Sequence, residues 1–316
     1  MTPPAKRRVV VDCDPGHDDA IAILLAAASP AVELQAITTV AGNQTVDKTT
    51  LNARRVCSVA GIAGVPIAAG CDRPLSREQI VAGEIHGASG LDGVDWDEPT
   101  VEVDPRDGVD LLISLARSDD PRPLTIVAVG PLTNVATALQ RAPDIAGRID
   151  RISIMGGAIG LGNWTPSAEF NIYADPEAAE VVVTSGVPVT LVPLEVTHLA
   201  LATEPVLERI AALGTPVARM SEALLRFFTD TYREVFGFPA PAVHDPCAVA
   251  AIIDPTIVPT RRMNVAIDTA SALSAGRTVV DVYGTTGREP NVDVAVGLEV
   301  GRFWDLVLEA LATYAG

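Results

Sequence analysis

The chain has 316 residues, of which 48% are hydrophobic and 20% charged, and its formal net charge is −17. This length suffices for one large α/β domain with a sizeable core. The acidic balance argues against nucleic acid or an anionic membrane as a partner, and no apolar run is long enough to predict a membrane span. Four scattered cysteines without a CxxC pair are typical of reduced thiols, so we expect a cytoplasmic protein without structural zinc or disulfides.

Apolar runs typical of strands alternate along the chain with segments of helical periodicity. The predicted strands are 8–13, 34–41, 65–69, 124–129, 152–155, 187–194, 257–267, 278–282 and 291–296. The predicted helices are 19–28, 46–60, 108–118, 132–141, 176–185, 204–212, 216–236, 246–253 and 301–314. This rhythm predicts an open, mainly parallel sheet with helices on both faces. We expect a single domain over 1–316, with a flexible N-terminus at 1–7 and a long loop beside the active site at 71–107.

The first chemically unusual segment joins the first predicted strand to the first predicted helix. Asp12, Asp14, Asp18 and Asp19 lie within eight residues, and the Pro15-Gly16 pair indicates a turn between them. A solvated acidic turn, with Asp18 as the helix cap, is one interpretation. Because a cap needs one carboxylate and burial of several like charges is costly, a hard divalent cation held by oxygen ligands explains the cluster better.

Four further segments place polar side chains at predicted strand ends or helix starts. They are 40–44, 128–134, the glycine-rich 155–171 and 243–247. Taken singly, they could be turns, helix caps or a packed His-Asp pair. The glycine-rich segment lacks a phosphate-loop lysine, whereas its Glu169 and Asn171 suit sugar hydroxyls. The carboxyl ends of parallel strands converge on one edge, so we expect all four segments at one site.

Seven motifs in chain order carry a family resemblance. They are Asp12-Cys-Asp-Pro-Gly-His-Asp-Asp19, Gly42-Asn-Gln44, His86-Gly-Ala-Ser-Gly90, Gly130-Pro-Leu-Thr-Asn134, Met155-Gly-Gly157, Ala168-Glu-Phe-Asn171 and His244-Asp-Pro246. With them the chain resembles the inosine–uridine nucleoside hydrolase family. The resemblance implies a Rossmann-like open sheet, a calcium-dependent hydrolase of the N-glycosidic bond of ribonucleosides, and a homodimer or homotetramer.

The resemblance also implies roles for individual residues. Calcium would be held by Asp14, Asp19, Asp245 and the main-chain carbonyl of Val129, and Asp14 would be the general base on a calcium-bound water. The ribose hydroxyls would contact Asp18, Asn43, Asn171 and Asp245, the 5′ end would lie near Asn163 and Glu169, and Met155 would pack beneath the sugar. The residue chemistry agrees, because an anionic cavity stabilises an oxocarbenium-like ribosyl cation.

The groups that contact the base follow less directly. His244 is the natural candidate to protonate or hydrogen-bond the leaving base. His86 is expected to bind substrate from the long loop, although it could be an exposed loop histidine. Tyr232, with Phe228 one helical turn away, is expected to flank the base, as is Trp164, although core packing explains such aromatics equally well. His17 is assigned no role.

Two alternatives use the same residues differently. Asp12-Cys-Asp14 after a strand mimics the opening motif of a HAD-like phosphatase, but Lys6 and Lys48 are badly placed to hold a phosphate. A calcium-dependent riboside-binding protein without catalytic activity would share the acidic site. The sequence does not distinguish purine from pyrimidine nucleosides.

Overall fold

The computed structural model describes residues 6–314 and contains one nine-stranded sheet. Its strands are β1 (Arg7–Cys13), β2 (Val32–Thr39), β3 (Ile67–Ala69), β4 (Leu124–Ala128), β5 (Ile149–Met155), β6 (Val189–Val192), β7 (Thr260–Ile267), β8 (Thr278–Asp281) and β9 (Val292–Ala295). They lie in the order β3-β2-β1-β4-β5-β6-β9-β7-β8. The first seven strands in this order are parallel to one another, whereas β7 pairs antiparallel with both β9 and β8. The expectation of a mainly parallel α/β sheet is confirmed.

Helices cover both faces of this sheet. They are α1 (His17–Ala28), α2 (Val46–Ala60), α3 (Gly83–His86), α4 (Gly108–Ala116), α5 (Thr133–Arg141), α6 (Phe170–Ala174), α7 (Pro176–Thr184), α8 (Leu194–Thr197), α9 (Glu204–Ala211), α10 (Pro216–Phe236), α11 (Asp245–Ile253) and α12 (Val300–Ala312), with a 3₁₀ helix at Pro143–Arg148. One core packs α1, α2, α11 and α12 on one face, and the other packs α4, α5 and α7 on the opposite face. No helix within residues 6–314 is long and apolar enough to cross a membrane.

The position of β1 determines where a ligand can bind. The chain runs from β1 outward through β2 and β3, then returns to the other side of β1 as β4. This reversal makes the β1–β4 boundary a topological switch point, where open α/β sheets bind ligands beyond the carboxyl ends of the strands. Both strands end in register, since Asp12 lies opposite Ala128 and the Val129 N–H donates to the Asp12 carbonyl at 2.8 Å.

Most predicted elements are present, with differences at their ends. Arg7 already belongs to β1, where its guanidinium contacts Asp150 at 2.6 Å, so the predicted flexible segment 1–7 is wrong at that residue. Residues 1–5 of that prediction lie outside the described part. The short helices α3, α6 and α8 were not predicted, because four or five residues are too few for helical periodicity to be recognised.

Helix α1 begins earlier than predicted and is not capped by Asp18. Gly16 is the extended residue before its first turn, and Asp19 accepts a hydrogen bond from the Gly16 N–H at 2.9 Å. Asp18 and Asp19 therefore both lie in the first helical turn, where the helix dipole favours negative charge. This placement turns two carboxylates of the cluster toward the carboxyl edge of the sheet.

Candidate active site

A cavity of about 310 Å³ opens at the carboxyl ends of β1 and β4. Eleven of the thirteen predicted site residues line it: Asp18, Asn43, His86, Val129, Met155, Asn163, Glu169, Asn171, Tyr232, His244 and Asp245. The other two, Asp14 and Asp19, are completely buried just beneath it. The motifs thus converge on one cavity, as their positions at strand ends predicted.

The floor of the cavity is acidic. Asp18, Asp19 and Asp245 are buried, and carboxylate oxygens of all three lie within 4.8 Å of one another. Burial and the neighbouring carboxylates raise the pKa of Asp18 to about 7 and that of Asp245 well above its usual range. Within the described residues no arginine or lysine forms an ion pair with this group. A buried cluster of this kind calls for a cation.

Asp14 is held tightly by backbone. Its Oδ2 accepts a hydrogen bond from the Asn43 N–H at 2.6 Å, whereas its buried Oδ1 has no hydrogen-bond partner among residues 6–314. A Cβ added to Gly42 or Gly130 would lie 2.1 or 2.5 Å from these oxygens, so both glycines are required for space. Burial, followed by the charge of Asp19, raises the Asp14 pKa well above its usual range.

Asp12, the first carboxylate of the opening motif, lies in a buried hydrogen-bond network outside the cavity. Its Oδ1 accepts hydrogen bonds from the Thr38 hydroxyl at 2.5 Å and from Asn134 Nδ2 at 2.8 Å. Asn134 in turn accepts from the Cys71 N–H at 2.7 Å, and Asp12 does not line the cavity. Asp12 therefore connects β1, β2 and α5 beneath the site, and Asn134 is part of this network rather than a helix cap.

Polar side chains form one wall of the cavity at the predicted ribose position. Glu169 is buried and accepts hydrogen bonds from the N–H groups of Asn171 and Gly157, both at 2.9 Å. Burial raises the Glu169 pKa to about 7. Asn171 Nδ2 donates to the Val129 carbonyl at 2.8 Å and lies 3.2 Å from the Met155 carbonyl, and Asn163 accepts from the Phe170 N–H. These bonds orient the wall before any ligand binds.

His244 and Tyr232 form the opposite wall. His244 Nε2 lies 2.5 Å from the Tyr232 hydroxyl, and its Nδ1 lies 2.7 Å from the Thr197 hydroxyl. Burial lowers the His244 pKa to about 3, so the ring is neutral, and burial raises that of Tyr232 well above its usual range. Thr197 was not predicted, although its position in α8, directly after the carboxyl end of β6, is the same signal that marked the other site residues.

The aromatic predictions are resolved by burial. His86 is only 6% exposed and lines the cavity, so it is not an exposed loop histidine. Phe228 packs in a small hydrophobic cluster with Tyr232, and both residues also line the cavity. The two interpretations of these aromatic residues, core packing and contact with the substrate, are therefore compatible. Trp164 lies at the rim, 38% exposed and edge-on to Phe170.

The residues fit a hard divalent cation. Asp18, Asp19 and Asp245 form the carboxylate group, the Val129 carbonyl lines the same cavity, and Asp14 adjoins the group, since its N–H donates to Asp19 Oδ1 at 3.1 Å. All of them offer oxygen ligands of the kind that calcium prefers. The unpaired Asp14 Oδ1 is a further indication, because a buried carboxylate oxygen without a partner is costly; Asp12 Oδ2 is also unpaired but lies outside the cavity. The tightest group contains Asp18, which was predicted to bind ribose, in addition to the predicted ligands Asp19 and Asp245.

Comparisons with known proteins agree with this geometry. The model of the family described as inosine-uridine preferring nucleoside hydrolase matches residues 9–305. The pyrimidine-specific ribonucleoside hydrolase RihA of Citrobacter koseri is 47% identical over 97% of this chain and 98% of its own length. The inosine-uridine preferring nucleoside hydrolase of Crithidia fasciculata is 46% identical over 96% of this chain and 97% of its own. The solved structure of a purine-preferring ribonucleoside hydrolase from Gardnerella vaginalis superposes with a TM-score of 0.91 at 31% identity, covering 98% of this chain and 99% of that one.

Fold and comparisons together define the class of the protein: it is an N-glycosidase that hydrolyses ribonucleosides to free base and ribose. The chain belongs to the inosine-uridine preferring nucleoside hydrolase family. The phosphatase and binding-protein alternatives are thereby set aside. The structure agrees, because no lysine or arginine of residues 6–314 lines the cavity, and Lys48 instead contacts the Ala88 carbonyl at 2.6 Å.

Proposed function

We propose that this hydrolase uses calcium, that Asp14 is its general base, and that uridine is among its substrates. The observation that carries the proposal is the buried group of Asp18, Asp19 and Asp245 at the switch point, with the unpaired Asp14 oxygen beside it and a wall suited to sugar hydroxyls. Uridine is chosen because a pyrimidine-specific and an inosine-uridine preferring relative resemble this chain almost equally.

Asp14, Asp19, Asp245 and the Val129 carbonyl would hold the ion. When bound, calcium would supply Lewis-acid chemistry, which lowers the pKa of a water and favours contact with sugar hydroxyls. Asp14 is the base best placed to take the proton from that water, because Asn43 occupies only one of its two carboxylate oxygens. The backbone passes close to both of its oxygens at Gly42 and Gly130, where any larger residue would displace the carboxylate.

The remaining carboxylates act on the sugar. Cleavage of an N-ribosidic bond develops positive charge on the ribosyl group, and fixed negative charge in a water-poor cavity stabilises it. Asp18 would accept from a ribose hydroxyl while it also receives the His244 N–H at 3.1 Å. Asn43 and Asn171 would bind the other hydroxyls, and Asn163 and Glu169 the 5′ end, above Met155.

His244 and Tyr232 would activate the leaving base by hydrogen bonding. A neutral His244 with a low pKa is a poor proton donor at neutral pH. It can instead donate from Nε2 to the Tyr232 oxygen, which leaves the Tyr232 O–H free to donate to the base. In that arrangement His244 Nδ1 accepts from Thr197. His86 would contact the base from the other side.

The test is ribose release from inosine, adenosine, guanosine, uridine and cytidine, each with calcium and after chelation. We expect hydrolysis of uridine that is lost on chelation and restored by calcium. Activity that survives chelation would contradict the calcium requirement. Turnover of purine nucleosides alone would contradict the proposal that uridine is a substrate. We also propose a homodimer or homotetramer, which light scattering of the same preparation would test.

A further inference from the structure

His17, which was assigned no role in the sequence analysis, is completely buried at the start of α1. Its ring lies nearly parallel to those of Phe227 and Phe228, with centroids 5.2 and 5.0 Å away. Its Nε2 is 2.9 Å from the carbonyl oxygen of Asp92, and its Nδ1 is 3.1 Å from Nδ1 of His86. His17 thus contacts the back of a histidine whose front lines the substrate cavity.

These two contacts determine where the protons lie. A carbonyl oxygen only accepts, so His17 Nε2 carries a hydrogen and donates to Asp92. A neutral His17 then has a bare Nδ1, which must accept from Nδ1–H of His86. A neutral His86 that is protonated on Nδ1 has a bare Nε2, and this atom has no hydrogen-bond partner anywhere in the described chain.

We propose that His17 is a positioning residue that fixes His86 in its Nδ1–H tautomer, so that Nε2 faces the substrate as a hydrogen-bond acceptor. This inference rests on the proposed function, since it assumes that the base lies against His86. The site would then favour nucleobases that present an N–H donor on that edge, such as uracil N3–H or the cytosine amino group. His86 would not donate to the leaving base, which leaves that role to Tyr232.

Two further observations support a dedicated contact. A Cβ on Gly16 would lie 2.5 Å from His86 Nδ1, so the residue before His17 must be glycine for the rings to meet. The segment carrying His86 is also anchored where it follows α3, because Gln44 donates to the Gly87 carbonyl and Asn52 to the Ser89 carbonyl. The approach of the two histidines is therefore built into the fold.

The opposite tautomer is the competing arrangement. The His17 backbone N–H also points at His86 Nδ1, at 3.4 Å, and a doubly protonated His17 could donate to a bare Nδ1 there. That state places a charge between two phenylalanine rings at a helix N-terminus, where both burial and the helix dipole oppose it.

The direct test is the tautomer itself. The chain has four histidines, so ¹⁵N-histidine labelling of the calcium-loaded protein gives a short, assignable spectrum in which protonated and bare ring nitrogens are distinguished. We expect His86 to be protonated on Nδ1 and His17 on Nε2. A His86 protonated on Nε2 would overturn the inference whether or not the enzyme turns over uridine, and a missing activity with the expected tautomer would contradict only the proposed function.

Kinetics with matched variants test the consequence. His17→Phe keeps the ring stack and removes both hydrogen bonds, whereas His17→Asn can still accept from His86 through Oδ1. Wild type should prefer uridine over 3-methyluridine, or cytidine over N4,N4-dimethylcytidine, by about tenfold, the value of one hydrogen bond. We expect His17→Phe to abolish this preference mainly through KM, and His17→Asn to keep most of it.

Phe227→Leu is the control, because it removes a stacked ring without touching either hydrogen bond or the cavity. It should change thermal stability but neither the His86 tautomer nor the preference between the methylated and unmethylated substrates. If all three variants lose the preference equally, His17 acts only through packing and the inference is wrong.

Discussion

The two ends of the cavity are built in different ways. At the carboxylate end, Asp14, Asp18, Asp19 and the Val129 carbonyl come directly from the ends of β1 and β4 and the first turn of α1. At the base end, the histidines and aromatic rings come from α10, the start of α11 and the segment around α3. The first end depends mainly on neighbouring strands in register, with Asp245 added from the start of α11, and the second depends entirely on side chains that meet across large sequence separations.

The difference indicates how the chemistry and the recognition are divided. Backbone N–H groups hold the carboxylates of Asp14 and Asp19, and glycine backbone lies against the Asp14 oxygens, as a reaction centre requires. The base end is held by pairs of side chains, such as His244 with Tyr232, that a few substitutions would change. We therefore expect substitutions at the carboxylate end to change rate on every substrate and those at the base end to change the ranking of substrates.

Asp14→Asn should have the largest effect. It removes the proposed base and a metal ligand while keeping the shape, so uridine turnover should fall by about 10³-fold. Asp12→Asn is the matched control, since it changes a buried aspartate two residues away that lies outside the cavity. It should alter stability and leave kcat near the wild-type value. Steady-state kinetics with saturating calcium would measure kcat for both variants. Comparable losses of kcat in the two variants would indicate an effect on folding rather than on catalysis.

The next effect concerns substrate rather than protein. 2′-Deoxyuridine lacks a hydroxyl that would pair buried acceptors, so its kcat/KM should be roughly 10²-fold or more below that of uridine. 5-Methyluridine, which is altered only on the base, serves as the comparison and should lose far less. Equal losses for the two analogues would mean that the carboxylate end does not recognise the sugar.

Tyr232→Phe and His244→Ala should show the base end most clearly. Each removes part of the hydrogen-bonded pair, and we expect losses of roughly 10- to 100-fold on uridine or inosine. With p-nitrophenyl riboside, whose leaving group needs no proton, the loss should be under about threefold. Parallel assays on the two substrates measure the difference. Equal losses on both would place the pair in sugar binding rather than leaving-group activation.

The carboxylate end was also the part that sequence predicted best. Asp14, Asp19 and Val129 follow strand ends, and the rule that parallel strands converge at their carboxyl edge needs no tertiary detail. The same rule did not separate Asp12 from its neighbours. Alternation along β1 turns Asp12 toward α5, where Thr38 and Asn134 bind it, and only the sheet order shows which helix covers that face.

At the base end, the sequence predicted which residues line the cavity but not which residues they contact. His86, Tyr232 and His244 were each identified, yet exposure in a loop remained an alternative for His86, and core packing explained Tyr232 equally well. The partners that decide their roles, Thr197 and His17, lie 47 residues from His244 and 69 from His86. No periodicity or spacing encodes such pairings, because they depend on how α8 and α3 are placed against the sheet.

The smallest expected effect is on stability: calcium should stabilise the protein more at high pH than at low pH. Burial and the neighbouring carboxylates raise the Asp18 pKa to about 7 and the pKa values of Asp14 and Asp245 well above their usual range. The protonated native forms therefore add stability that is complete below about pH 4 and is lost as pH rises through about 7. In the chelated protein this stability is lost at high pH, whereas in the calcium-bound protein the ion neutralises the charge of the ionised carboxylates.

The gain in Tm on adding calcium should therefore be larger at pH 8 than at pH 5.5, by about 3 °C or more. Differential scanning fluorimetry measures it, with Asp14→Asn as the variant in which the pH dependence shrinks. Equal gains at both pH values would mean that the ion does not bind to these carboxylates.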